Sequence, residues 1–195
     1  MLHPSALPLD HDRARRVVRS FTATAPASEA LECELLQDIA EGLGRSVSAD
    51  QLALGPQRCW TRLLGTRSYD AWLIGWPPGT GLDLHDHGES SAAVFVVTGA
   101  LDEQHLVRGT SGHVATRRLA AGDAVAFDSA HVHAVHNTTD RDALSVHVYS
   151  PPLSTMTFFE QGAGSALVPI DAALVHKDDL QPVAWRPAST DVGVG

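Results

Sequence analysis

Two histidine pairs set out the chemistry open to this chain. His85-Asp86-His87 follows the Pro77-Pro78-Gly79 turn, and His131-Val132-His133 follows Gly122. Three neutral imidazoles meeting at one point make a site for a divalent transition metal. Side chains two apart on a strand face the same way, so His85 and His87 can hold one ion. The third ligand must come from another strand, because one strand cannot surround a metal. His133 and His131 have the same parity, and both are candidates. His136 has the opposite parity and is expected at the surface or behind the ligands.

Two more groups carry possible chemistry. Ser145, His147 and Tyr149 alternate with Leu144, Val146 and Val148, so one face of that segment is polar and the other apolar. The polar face looks either into water or into a cavity. Beside a metal-lined interior the three can form a relay: Ser145 fixes His147, and His147 orients the Tyr149 phenol toward a bound ligand. Arg62, flanked by Trp60 and Leu63, is costly on a barrel strand unless it meets an anion. Its planar fork suits a carboxylate, either of a substrate or of one of the chain's own acids.

These residues need a scaffold of short strands. Stretches at 58–64, 70–76, 83–85, 92–98, 100–107, 113–119, 124–128, 132–137 and 142–149 read as strands. They are separated by turn residues such as Gly65, Gly99, Gly109, Gly112 and Gly122. This spacing indicates an all-β sandwich or barrel. Residues 150–184 are expected to pass back over the barrel, and the tail from about 186 to be loose. Upstream, 10–21 and 28–44 read as helices. In the second, Leu31, Leu35, Ile39 and Leu43 recur at i, i+4, with Ser28 as N-cap and Gly42 and Gly44 ending the run.

Composition bounds the rest. With 195 residues, 44% of them apolar, the chain suits one domain with modest extensions. The expected division is a helical extension at 1–57 packed on the barrel, the barrel at 58–160, and a C-terminal strand or coil with its tail at 161–195. A net charge of -9 argues against nucleic acid, because phosphate binding needs a basic surface. No apolar run approaches the roughly 18 residues of a membrane span, and no basic segment precedes an apolar one as in a signal peptide. Two cysteines, Cys33 and Cys59, make no disulfide framework. They are expected as small buried hydrophobes in a monomer of the reducing cytoplasm.

The glycines and histidines also form two spaced patterns. Gly79, His85-Asp86-His87 and Gly99 make one; Gly122, Asp128, His131-Val132-His133 and Asn137 make the other. Together they resemble the two motifs of the cupin superfamily, over roughly residues 58–160. The resemblance implies an all-β cupin, a double-stranded β-helix or jelly-roll barrel, with N-terminal helices packed on the outside. It puts Gly79 and Gly122 at tight turns and makes His85, His87 and His133 the metal ligands. The carboxylate ligand of the usual cupin would fall at Ala92, and Glu89 is off register, so the site reads as three histidines. An ion on three neutral ligands keeps its full charge and favours an anionic donor such as a thiolate.

A narrower resemblance covers several short motifs in order. Trp60-Thr61-Arg62, Trp76, His85-Asp86-His87, His133-x-x-x-Asn137 and Ser145-x-His147-x-Tyr149-Ser150-Pro151-Pro152 resemble the cysteine dioxygenases, the bacterial branch in particular. This implies one mononuclear non-haem Fe(II) per chain. It implies catalytic roles for Tyr149, His147 and Ser145, and a substrate site made by Arg62, Trp60 and Trp76 with Arg62 on the substrate carboxylate. L-cysteine and dioxygen would give cysteine sulfinate. Mammalian members carry a cysteine at the position of Ala92, joined to the tyrosine by a thioether, so Tyr149 is expected as a free phenol. Trp60 stands where a tyrosine is common, which removes one hydroxyl from the substrate site.

Three other readings remain. A dioxygenase of another small thiol, such as 3-mercaptopropionate, would typically have glutamine at the position of Arg62. A non-catalytic cupin that binds a small ligand would have no use for the Ser145, His147 and Tyr149 face. A metal-dependent isomerase or decarboxylase cupin is disfavoured by Ala92.

Overall fold

The computed structural model describes residues 30–48, 54–110, 112–162 and 166–174. One helix, α1 (Cys33–Gly44), precedes eleven strands among these residues. They are β1 (Cys59–Gly65), β2 (Asp70–Trp76), β3 (Gly81–His85), β4 (Ser91–Thr98), β5 (Ala100–Leu106) and β6 (Val114–Ala120). After them come β7 (Ala124–Phe127), β8 (His133–His136), β9 (Ala143–Ser150), β10 (Thr155–Gln161) and β11 (Leu167–Leu174). One sheet has the order β1-β2-β9-β4-β7, and the other β11-β10-β3-β8-β5-β6. Every pairing is antiparallel. The chain crosses between the sheets repeatedly, which makes the double-stranded β-helix of a cupin.

The five-stranded sheet is buried on both faces. Its outer face presents Ala71, Leu73, Ala93, Phe95, Val146 and Val148 to Leu36, Ile39, Ala40 and Leu43 of α1. Its inner face presents Trp72, Ile74, Trp76, Val94, Val96 and Tyr149 to Leu101 and Val135 of the other sheet. This explains the alternation in β9. Its apolar residues face outward under the helix, and Ser145, His147 and Tyr149 face into the barrel.

The nine expected strands match β1 to β9 within about two residues at each end. β10 and β11 add two strands to the nine expected, β11 within the C-terminal strand or coil expected at 161–195. Thr155, Thr157, Phe158 and Phe159 carry the strand preference of β10. Pro169 hides β11, because proline argues against a strand except at a sheet edge, and β11 is such an edge. The expected boundary at 160 falls inside β10, whose pairing with β11 carries the same sheet on to Leu174.

The helix also differs at its start. Glu32, extended at φ -60° and ψ 145°, is the N-cap and makes no side-chain capping bond. Leu31 donates its N–H to Ser150 Oγ at 2.9 Å, which ties this residue to the end of β9 instead of to a helical turn. Ser28 and the helix expected at 10–21 lie outside the described residues, as does the tail. Gly79 and Gly122 sit at φ +74° and +94°, the left-handed region that a tight turn opens to glycine. Among the described residues no helix is long and apolar enough to cross a membrane.

Candidate metal centre

β3 and β8 lie side by side, and their register sets His85 opposite His133. The β3 ladder ends at His85, but the chain stays extended through Asp86. The Asp86 N–H donates to the Thr157 carbonyl at 3.0 Å, and its Oδ1 accepts the N–H groups of Thr157 at 3.0 Å and Gly88 at 3.1 Å. Asp86 thereby clamps the histidine turn to β10 and holds His87 beside His85. The ring centroids of His85, His87 and His133 are 4.7–5.0 Å apart. One nitrogen from each lies within 4.8 Å of the others.

The protonation of these rings suits a metal. Burial and the neighbouring His133 push His85 well below the ordinary imidazole value, and the same causes act on His87. Burial lowers His133 as well, against the opposing pull of Glu103. All three rings are therefore neutral, each with a lone pair to give. His85 Nδ1–H donates to the Asp83 carbonyl at 2.7 Å, which leaves Nε2 as its donor atom. His87 Nδ1 is buried without a partner among the described residues. A buried orphan nitrogen in a cluster of neutral imidazoles is what a bound cation would satisfy, so the residues fit a transition metal ion.

His131, the rival third ligand, is not part of this cluster. Its Nε2 lies 2.9 Å from Glu103 Oε1, which also accepts His133 Nδ1–H at 2.7 Å. Arg117 Nε donates to the other Glu103 oxygen. Burial raises the Glu103 carboxyl, but hydrogen bonds from His131, His133 and Arg117 outweigh it and hold it well below the usual carboxylate range. The sequence reading missed Glu103. Its parity with the inward Leu101 was the available signal, but Asp102 beside it offered an equally plausible surface acid. His136 lies half-exposed, 3.8 Å from Asp83.

The polar face of β9 forms one buried chain. Trp76 Nε1–H donates to Ser145 Oγ at 2.8 Å. Ser145 Oγ is 2.9 Å from His147 Nε2, and His147 Nδ1 is 3.2 Å from the Tyr149 hydroxyl. An indole N–H only donates, so Ser145 Oγ accepts from Trp76 and keeps a second lone pair and its own proton to meet His147. In the tautomer in which Ser145 donates to Nε2, His147 Nδ1–H donates to the Tyr149 oxygen and the phenol proton is free for the cavity; in the other, the phenol donates to Nδ1. Burial with the nearby His133 pushes His147 down to about 3, so the ring is neutral. Burial, with Asp70 adding to it, raises the Tyr149 phenol, which therefore keeps its proton.

A cavity of about 240 Å³ opens on this centre. His85, His133, His147 and Tyr149 contribute its polar wall, and Trp60 and Trp76 are among its apolar lining. Ala92 is buried directly across from Tyr149 in the β4–β9 register. Arg62 does not line the cavity. A bulge in β1 between Arg62 and Leu64 interrupts the register, and bulges re-aim side chains. The Arg62 guanidinium lies 3.7 Å from Asp70 and 5.8 Å from the Trp72 ring centre.

The arginine in the wall is Arg58, which the sequence reading passed over. Its guanidinium lies 5.2 Å from the ring centres of both Trp60 and Trp76. Desolvation lowers its pKa, against the opposing influence of Tyr149 and Cys59. The signal was parity, since Arg58, Trp60 and Arg62 stand two apart, but nothing in a single sequence says which arginine the strand aims inward.

The comparisons with known proteins agree with this geometry. The cysteine dioxygenase type I family matches residues 50–162, more than half of the chain. Cysteine dioxygenase type 1 of Bos taurus is 27% identical over 107 residues, covering 51% of this chain and 54% of that protein. The Homo sapiens protein of the same name gives the same figures. The chain thus spans about half the length of the curated relatives it matches. Among solved structures, KdgF from Halomonas sp. is 22% identical, with a TM-score of 0.43 over 51% of this chain and 83% of that one. The family match runs from ahead of β1 to the end of β10 and so takes in the three histidines, the β9 relay and both arginines: the chain belongs to the cysteine dioxygenase type I family.

Proposed function

We propose that this protein is a mononuclear iron thiol dioxygenase that converts L-cysteine to cysteine sulfinate. The reading rests above all on one juxtaposition. His85 and His133 of the three-histidine cluster, a protonated Tyr149 and Arg58 all line one cavity of about 240 Å³. That volume is below the roughly 300 Å³ at which pockets for drug-sized ligands begin, so it suits a small substrate. When bound, a divalent iron supplies dioxygen activation and open positions for the substrate thiolate and amine.

The chain's own residues do the rest. Arg58 takes the substrate carboxylate with its planar fork, between two tryptophans that shield the contact from water. Tyr149 donates its hydroxyl proton as a hydrogen bond toward the reacting sulfur side. Ser145 and His147 keep the phenol in that orientation, with His147 Nδ1–H donating to the phenol oxygen. The reaction balances without a co-reductant. Sulfur loses four electrons, dioxygen gains them, and both oxygen atoms end on sulfur with release of the thiol proton. Cys33 and Cys59 are free thiols, which suits a reducing compartment.

Replacement of each arginine tests the substrate assignment. A hydrogen bond to a charged group contributes about 1.5–3 kcal/mol, so its loss costs roughly 10- to 150-fold. Arg58→Gln is expected to lower kcat/KM for L-cysteine by that order and to leave the already poor use of cysteamine, which has no carboxylate, nearly unchanged. Arg62→Gln is expected to change the ratio little. A ratio that moves with Arg62 and not with Arg58 returns the carboxylate contact to Arg62. A preference for 3-mercaptopropionate over L-cysteine at equal iron content would replace the substrate.

A further inference from the structure

We infer that Glu103 is a positioning residue for the metal, supplying through His133 the negative charge that a carboxylate ligand supplies in other cupins. The inference rests on the reading of His85, His87 and His133 as the ligands. In this chain Ala92 stands where that carboxylate would, so no acid reaches the ion directly. Glu103 reaches it one imidazole away and takes no coordination position.

The fold builds this contact deliberately from three strands. β5 lies between β8 and β6. His105 is the register partner of His133, so Glu103 sits diagonal to it, on the inward face with Leu101. Glu103 is 1% exposed. A carboxylate this deep is costly unless it is paired and hydrogen-bonded. It receives three donors: His133 Nδ1–H at 2.7 Å and His131 Nε2 at 2.9 Å on Oε1, and Arg117 Nε on Oε2 from the directly opposite position on β6.

The consequence for His133 follows from donor chemistry. An ionised carboxylate only accepts, so the His133 proton resides on Nδ1 and its Nε2 lone pair faces the metal. The ligands are then unequal. His85 gives its N–H to the neutral Asp83 carbonyl, and His133 gives its N–H to an anion. A ring bonded to an anion is the more basic donor, which strengthens its hold on a cation and favours the oxidised metal. The site thus gains negative charge while its coordination positions stay open for substrate and dioxygen.

Metal affinity and iron potential test this apart from turnover. Fe(II) affinity is read by competition with a chromophoric chelator, and the ferric/ferrous midpoint by redox titration. Glu103→Gln keeps the shape and removes the charge. It is expected to bind Fe(II) about 10- to 100-fold more weakly and to shift the couple positive. His131→Phe keeps the ring stack on Phe127, at 4.2 Å between centroids, and frees Oε1 for His133 alone. Its couple is expected to move negative, and it carries the test if Glu103→Gln does not fold. A merely structural clamp would lower stability and leave both potentials unmoved. Unchanged affinity and potential in Glu103→Gln, or an unmoved potential in His131→Phe, overturns the inference while the metal site stands. Equal Fe(II) binding by wild type and His85→Ala overturns the metal site itself, and this inference with it.

Discussion

Trp76 anchors the buried relay through its indole N–H. That N–H fills one lone pair of Ser145, which leaves the hydroxyl proton and the second lone pair to meet His147 Nε2. The Tyr149 phenol is the end of that line and lies in the cavity wall. Tyr149→Phe removes the hydroxyl, with its contact to His147 Nδ1, while the ring still packs opposite Ala92. Iron content is expected to stay at wild-type level, while turnover, or the share of consumed dioxygen recovered as sulfinate, falls by about 100-fold or more, the usual range for a positioned proton donor being about 10²- to 10⁴-fold. Dioxygen uptake measured alongside sulfinate formation checks this. Wild-type values for both in the variant would remove the phenol from the chemistry.

At the scale of elements, Asp70 ties the start of β2 to the segment after β9. Its Oδ1 accepts the Leu153 N–H at 3.3 Å, and its Oδ2 faces Arg62 at 3.7 Å. Burial is the larger influence and pushes its carboxyl up to about 6, against 3.8 ordinarily. Between those two values the native state holds more protons than the unfolded chain, so this group lowers stability as pH rises through that window. The penalty is complete above about pH 6 and amounts to about 3 kcal/mol. Asp70→Asn keeps an acceptor for Leu153 and removes the charge. It is expected to gain up to about 3 kcal/mol over wild type at pH 7 and little at pH 4. Denaturant unfolding at both pH values reads the difference. An equal gain at the two would mean that packing, and not ionisation, is responsible.

In the whole molecule, the apolar cores and the proposed metal ligands are held by different parts. Both faces of the five-stranded sheet bury hydrophobic clusters, whereas His85 and His133 lie on the second sheet. Removing the metal therefore leaves the packing intact but forfeits binding energy that only the folded state enjoys. At free metal one hundred times Kd that energy is about 2.7 kcal/mol. Chelation is expected to lower Tm by several degrees with no change in far-UV circular dichroism. His133→Ala is expected to show no metal-dependent Tm. A Tm that ignores chelation in the wild type would place the ion outside these strands.

Local spacing determined much of this protein. Period-two alternation and glycine punctuation mark β1 to β9, because strand faces and turn conformations are properties of neighbouring residues. The same period puts His85 and His87 on one face and Ser145, His147 and Tyr149 on another. Tertiary structure decided what depends on partners distant in the chain. His133 differs from His131 only by what each meets, and Glu103, twenty-eight residues before His131, is what His131 meets. Arg58 and Arg62 share a parity, but a bulge and a buried aspartate draw one away and leave the other in the cavity wall. β11 carries a proline that only an edge position excuses, and an edge is defined by the whole sheet. Side-chain direction along a strand is local physics; which cavity, charge or proton a side chain finds there is settled only when the two sheets close.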